Sequence, residues 1–353
     1  MAKVPYQIVM QQLLEKTAEL TITDNDRIII FSDLHVGNGK SLDDFQGNSD
    51  LLKAVLRDYY YPQNYTLILN GDVEELHRYS LHEVRAHWTD LYAIFDTFFQ
   101  KNRFYKIFGN HDSKLFSLFE AQKRYPLHES LNLKYKNKSL FLFHGHQLSY
   151  YYQRFNDLMG IILRVIAKPL RIKHYSVAHD NHKKFTIERR AYDFAKQHGM
   201  AAILGHTHRP LFESLSKIDT LNYQIETLLR RYHKVSQNDR DEIEEKVRSL
   251  KQQVDRQEAK EGKELSINKV YSDATAVPCV FNSGCVIGKR GMTAIEIADG
   301  QIKLVHWFDS NVDKKYIRED LDNTTQLNKT DYFRTVLKSD DLDYIFTRIR
   351  LLT

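Results

Sequence analysis

Apolar residues in this chain gather into short blocks, and the spacing within the blocks changes from one part of the chain to the next. Before Asp26, the residues Ile8, Val9, Leu13 and Leu14 recur at helical spacing and predict a short amphipathic helix. Arg27-Ile28-Ile29-Ile30-Phe31 is apolar at successive positions, which predicts a strand covered on both faces. Residues 66–69, 105–108, 139–143 and 201–204 repeat that character. Helical patterns over 51–60 and 82–100 separate the first three strands. Strand, helix, strand in this order argues for α/β layering. Later strands at 277–281, 293–297 and 302–307, the last two joined by a turn at Asp299-Gly300, predict an added meander.

Two segments break that rhythm. Residues 150–198 predict a helical insertion whose Phe155, Leu158, Met159, Ile162, Val165 and Ile166 form a wide apolar face. Residues 215–261 predict a helical hairpin, with Ile218, Leu221, Ile225 and Leu228 as one stripe and Ile243, Val247, Leu250 and Val254 as the other. The simplest role for these stripes is to bury one another, with a homodimer contact as the alternative. Residues 310–353 are expected to form a C-terminal extension, the whole chain of 353 residues being one domain with insertions.

Charge refines the picture in one place. The chain carries a net +5, too little to indicate nucleic acid by itself, and no stacking platform or long basic groove is evident. Within 151–192, however, nine Lys or Arg face three Asp or Glu, so this segment alone carries +6. A basic cap next to a site would attract an anionic substrate. The two cysteines, Cys279 and Cys285, have no metal-ribbon or disulfide-framework spacing. With no signal-peptide pattern and no membrane-span pattern, a cytoplasmic location is expected, peripheral membrane contact remaining open.

The candidate chemistry sits at the strand ends. Asp33-Leu34-His35 follows the first buried strand, Gly71-Asp72 the second and Gly109-Asn110-His111-Asp112 the third. His144-Gly145-His146 and Gly205-His206-Thr207-His208 follow the next two. Ligands in α/β sheets collect beyond the carboxyl ends of strands, so the five clusters can converge. Carboxylate, amide and imidazole donors suit borderline divalent ions such as Mn, Fe or Zn. Arg209 stands next to the last cluster as a candidate phosphate contact, and His146 as a candidate substrate contact. Asp112 is placed either to support Asn110 or to cap the helix that follows it.

These five clusters, in this order, resemble the motifs of the calcineurin-like metallophosphoesterase family. The resemblance implies a four-layer α/β/β/α fold, a two-sheet β-sandwich flanked by helices, here with helical insertions. It implies two divalent metal ions, one held by Asp33, His35 and His208 and the other by Asn110, His144 and His206, with Asp72 bridging them. It also implies in-line attack of a metal-bridging hydroxide on a phosphate-containing substrate, with His111 serving the leaving oxygen. An acid three residues after the bridging Asp often orients that histidine, and here the position is Glu75. Phe281-Asn282-Ser283-Gly284-Cys285 is similar to the Asn-Thr-Gly-Ser strand end that often closes the family core.

Glu74-Glu75-Leu76-His77 stands where family protein phosphatases carry Asp-Arg-Gly, which argues against that branch. The insertion after the His144 cluster resembles the bacterial UDP-2,3-diacylglucosamine pyrophosphatases, a second reading of the same chemistry. His111 and His146 stand where that branch commonly has Arg and Asp. A catalytically silent scaffold of the same fold is the alternative from another class.

Overall fold

The computed structural model describes residues 5–118, 124–149, 181–214, 237–261, 277–319 and 323–353, with five single positions between 221 and 232. Most of the basic insertion, including its apolar face, lies outside the described residues, as does Ile218 of the hairpin.

The chain begins with α1 (Tyr6–Lys16) and the strands β1 (Ala18–Ile22) and β2 (Ile28–Phe31). Next come α2 (Ser49–Val55), β3 (Thr66–Asn70), α3 (Leu81–His87), α4 (Thr89–Gln100) and β4 (Phe104–Ile107). The strands β5 (Leu127–His128), β6 (Ser130–Tyr135) and β7 (Lys138–Phe143) precede α5 (Asn181–Gln197) and β8 (Ala201–Leu204). Then follow α6 (Gln237–Glu261), β9 (Val280–Asn282), β10 (Met292–Ala298) and β11 (Gln301–Asp309). The chain closes with α7 (Lys315–Glu319), β12 (Thr324–Gln326), β13 (Tyr332–Asp341) and α8 (Leu342–Leu352).

The strands make two sheets, in the orders β1-β6-β7-β8-β9 and β12-β13-β11-β10-β2-β3-β4-β5. Side chains alternate across a strand, and β2 divides its apolar residues accordingly. Ile28 and Ile30 enter the core between the sheets with Leu131, Leu133, Leu140 and Leu142, whereas Ile29 and Phe31 pack under Leu52, Val55, Leu91 and Phe95 of the covering helices. On the far side, Met10 and Leu13 of α1 and Ala191 and Phe194 of α5 cover the smaller sheet. Two sheets between two helical layers is the expected mixed α/β architecture, and double coverage explains why the central strands read as continuous apolar runs.

Several elements escaped the sequence pattern for identifiable reasons. β1 alternates as Ala18-Glu19-Leu20-Thr21-Ile22, but it is a five-residue edge strand with only Ile22 buried, so the pattern is short. β6 pairs with β7 through a two-residue turn at Lys136 and Asn137, whose φ values are 45° and 64°. That is the geometry usually signalled by Asn-Gly, and Lys at the first position conceals it. The helix expected over 82–100 is two helices, because the backbone turns out of helical geometry at Trp88 (φ −100°, ψ 40°), whose indole donates to Asp43. Residues 310–353 extend the larger sheet through β12 and β13, and Leu342, Ile345, Phe346 and Ile349 of α8 are buried in the core. In the 215–261 segment, Leu221 and Val254 are buried together with Ile225 and Leu250 against them. No helix among the described residues is long and apolar enough to cross a membrane.

Candidate metal centre

The parallel strands β2, β3 and β4 of one sheet and β7 and β8 of the other end at a common place, and the five polar clusters meet there. The backbone at this junction is unusual. Asp33, His35, Asp72, His206 and His208 all have positive φ, between 48° and 65°. A non-glycine residue in this region costs about 1–3 kcal/mol and persists only where the surroundings enforce it. Here they do. Asp33 and His35 donate their backbone N–H groups to the carbonyls of Gly71 and Asp72 at 3.0 Å each. Both carboxylate oxygens of Asp33 accept from the N–H of His206, at 3.1 and 2.9 Å, and Asp72 Oδ1 accepts from His111 N–H at 2.8 Å. The loops thus hold one another, and no local sequence signal announces this strain.

Close approach explains two of the motif glycines. A Cβ on Gly109 would lie 2.1 Å from Asp72 Oδ1, and one on Gly71 would lie 2.4 Å from His144 Nδ1. Gly71 also has a φ of 85°, which a side chain would oppose.

The donor atoms form two adjoining groups, Asp33/His35/His208 and Asp72/His144/His206, each compact enough to surround one ion. In the first, His208 Nε2 is 3.1 Å from both Asp33 Oδ1 and His35 Nε2. In the second, His144 Nε2 is 3.1 Å from Asp72 Oδ2. The groups share oxygens: Asp72 Oδ2 is also 3.9 Å from His35 Nε2, and Asp33 Oδ1 is 4.0 Å from His144 Nε2. His144 is oriented by its Nδ1, which meets the carbonyl of Asn70 at 2.9 Å. A third grouping joins His35, Glu75 and His111. Glu75 Oε2 lies 3.1 Å from His35 Nδ1 and 2.8 Å from His111 Nδ1, so one carboxylate oxygen addresses both rings. The extra methylene of Glu relative to Asp is therefore no obstacle to reaching His111.

The electrostatics are those of buried anions without fixed cations. Asp33 and Asp72 are fully buried, and among the described residues their ion-pair partners are all histidines. Burial pushes the Asp33 carboxyl up, but His208 and His144 outweigh it and hold its pKa at about 2. Asp72 is held well below the usual range against the same burial, chiefly by His144 and His111. Burial lowers His144 and His208, yet Asp72 and Asp33 drive them to about 9 and about 10. His206, buried beside the charged His144, falls to about 3. His111 is lowered by burial but raised further by Asp72 and Glu75, to about 8.

This donor set fits a pair of divalent ions. Among the described residues, Asn110 Oδ1 and His206 Nε2 are buried with no hydrogen-bond partner. A buried polar atom without a partner costs about 1–3 kcal/mol, a cost that coordination would remove. The protonated histidines likewise take the place of a cation between two carboxylates, which an ion would supply directly.

Other expected residues have definite positions. His146 is buried, its ring centre 5.6 Å from His144 and 6.4 Å from His206. Arg209 is paired with the buried Glu188 of α5 through Nε at 3.2 Å and through Nη2, and Glu188 also accepts from Thr207 at 2.9 Å. This pair ties α5 to the His206–His208 loop. Asp112 makes no cap bond with its own side chain. It is wholly buried and accepts instead from the N–H groups of Gly109 (2.5 Å) and Val73 (2.8 Å), clamping the second and third strand-end loops together. Burial, then Glu74 and Asp72, push its pKa up to about 7. Asn282 supports the fifth cluster, donating to the Gly205 carbonyl at 2.9 Å and to Thr207 at 3.0 Å. Beside His111, His77 stands with ring centres 4.4 Å apart, and both face an open cleft of about 1060 Å³.

Two sheets in a helix-flanked sandwich bring Asp and His donors together where strands of both sheets end, an arrangement suited to holding divalent metal. A profile of the calcineurin-like phosphoesterase family matches residues 26–210, just over half of the chain, and the protein belongs to that family. No match was found among curated proteins.

Proposed function

We propose that this protein hydrolyses a phosphate ester at a dinuclear centre, with Asp33, His35 and His208 holding one divalent ion and Asn110, His144 and His206 the other. Asp72, which faces donors of both groups, would be shared between the two ions. The observation that carries this reading is the sharing of carboxylate oxygens between two adjoining donor groups, Asp72 Oδ2 facing both His144 and His35. Two divalent ions in such a set supply Lewis acidity, polarising the phosphoryl oxygens and lowering the pKa of water so that it can attack phosphorus in line.

The chain's own residues complete the reaction. Water adds its oxygen to phosphorus, the P–O bond to the leaving group breaks, and the leaving oxygen takes a proton. His111 is the donor in this scheme. Glu75 faces its Nδ1, which leaves Nε2 for the substrate oxygen. Glu75 acts through His111 and His35 as an orienting residue. His146, buried beside both histidines of the second group, restricts their rings and the phosphate that reaches them.

The test is metal analysis of the purified chain together with turnover of p-nitrophenyl phosphate, before and after chelation and with Mn returned. Bound metal near two equivalents and activity that chelation removes and Mn restores are expected. An inert protein with no affinity for divalent ions would instead favour the silent scaffold. Adding a nucleotide-lipid pyrophosphate to the substrate set separates the UDP-2,3-diacylglucosamine type of activity from simple ester hydrolysis.

A further inference from the structure

The loop that carries His206 and His208 is gripped by two side chains from other segments, and each grip straddles a different histidine. His206 and His208 both stand on left-handed backbone, with φ of 65° and 55°. That conformation costs about 1–3 kcal/mol per residue and lasts only where neighbours enforce it. Asn282, at the end of β9, donates to the Gly205 carbonyl at 2.9 Å and to Thr207 Oγ1 at 3.0 Å. Its contacts fall on either side of His206. Glu188, on α5, accepts from Thr207 Oγ1 at 2.9 Å and from Arg209 Nε at 3.2 Å, with Arg209 Nη2 on its second oxygen. Its contacts fall on either side of His208.

The second grip is chemically the firmer one. Glu188, Thr207 and Asn282 are all buried, so water does not compete for their hydrogen bonds. The Asn282 amide donates to the Thr207 hydroxyl, which gives its own proton to the Glu188 carboxylate. Hydrogen bonds to a charged acceptor are about twice as strong as neutral ones. Arg209, from the same loop, supplies the opposite charge, and Glu188 belongs to neither metal donor group. Its influence on the centre therefore passes through residues 207 and 209.

We propose that Glu188 is a positioning residue for His208, and so sets the affinity for the ion at Asp33, His35 and His208 while the ion held with His206 is left unchanged. The inference rests on the dinuclear reading. The full chain, freed of metal by chelation, is titrated with Mn in competition with a chelating dye, and electron paramagnetic resonance follows the spin-coupled Mn pair. Wild-type chain should take up two equivalents. Glu188→Gln should weaken one equivalent roughly 10–100-fold, as losing the support behind a metal ligand does, and should delay the coupled signal to higher Mn. Added to His208→Ala, it should cause no further loss of the equivalent that remains. Glu188→Gln combined with Arg209→Met leaves no unpaired buried charge and allows the same measurement if the single variant does not fold. Equal weakening of both equivalents, further loss in the double variant with His208→Ala, or unchanged Mn affinity with a lower Tm of the chelated protein would overturn the assignment. Wild-type chain that takes up no Mn would overturn the dinuclear reading itself, and this assignment with it.

Discussion

The protein buries carboxylates in two very different ways. Beneath the covering helices, Glu296 of β10 meets Arg334 of β13, with Arg334 Nε donating at 2.9 Å. Tyr60 donates to the same carboxylate at 2.6 Å and itself accepts from the Trp307 indole at 2.8 Å. Glu74 is satisfied similarly, by Lys106 Nζ and Tyr92, each at 2.7 Å. At the strand ends, Asp33 and Asp72 are equally buried, but they are answered by titratable imidazoles on strained backbone, beside donor atoms that lack partners. The first arrangement is closed: its charge is neutralised within the chain. The second is open to an external cation. Burial of an acid therefore does not by itself mark a site; the nature of its partners does.

This contrast can be broken at either end. The largest expected effect follows Asp72→Ala, which removes the oxygen shared by both donor groups. Phosphatase turnover should fall by roughly ten-thousandfold while the fold is retained, since the surrounding loops keep their other contacts. Steady-state kinetics with circular dichroism checks this, and near-wild-type turnover would contradict the proposed bridging role. Arg334→Ala should do the opposite. It strands Glu296 without its cation and should cost about 3–5 kcal/mol of stability, with the remaining folded protein still active. Urea unfolding measures the loss, and a change below ~1 kcal/mol would show that the ion pair is not the closed unit described.

The smallest effect sharpens the comparison. In metal-free protein, His144 and His208 have pKa values of about 9 and about 10, above the ordinary 6.5. Their contribution to stability is present below 6.5 and is lost as pH rises through those values. Ligation needs neutral imidazole, so metal binding near pH 7 should release about two protons and tighten as pH rises. The gap in Tm between Mn-loaded and chelated protein should therefore widen from pH 6 to 9. The Glu296–Arg334 pair, which holds none of the metal donors, should add nothing to the gap. A gap that narrows with pH would mean that these histidines are not ligands.

The central strands and the five polar clusters were legible in the chain because each is a local pattern. A strand covered on both faces must be apolar throughout, and Ile28 to Phe31 is; donors must follow such strands, and they do. Glu75 could be located through its distance from Asp72, but not its simultaneous contact with His35 and His111. Arg209 could be placed beside the last cluster, but not its pairing with Glu188 from α5. Asp112 could be either a support for Asn110 or a cap from its position alone, whereas the fold gives its oxygens to the N–H groups of Gly109 and Val73. The edge strands β1 and β12 are only five and three residues long, too short for their pattern to stand out from its surroundings.

By itself, then, the sequence determined the inventory: which strands are buried, which donor residues follow them, and the chemical class those donors serve. Only the tertiary structure decided which carboxylates are neutralised internally and which face histidines alone, and what lines the cleft beside His111. The physical reason is range. Apolar periodicity and donor spacing act over a few residues, but the charge on a buried carboxylate depends on groups that folding brings from distant segments, as it brings His144 to Asp72 and Arg334 to Glu296.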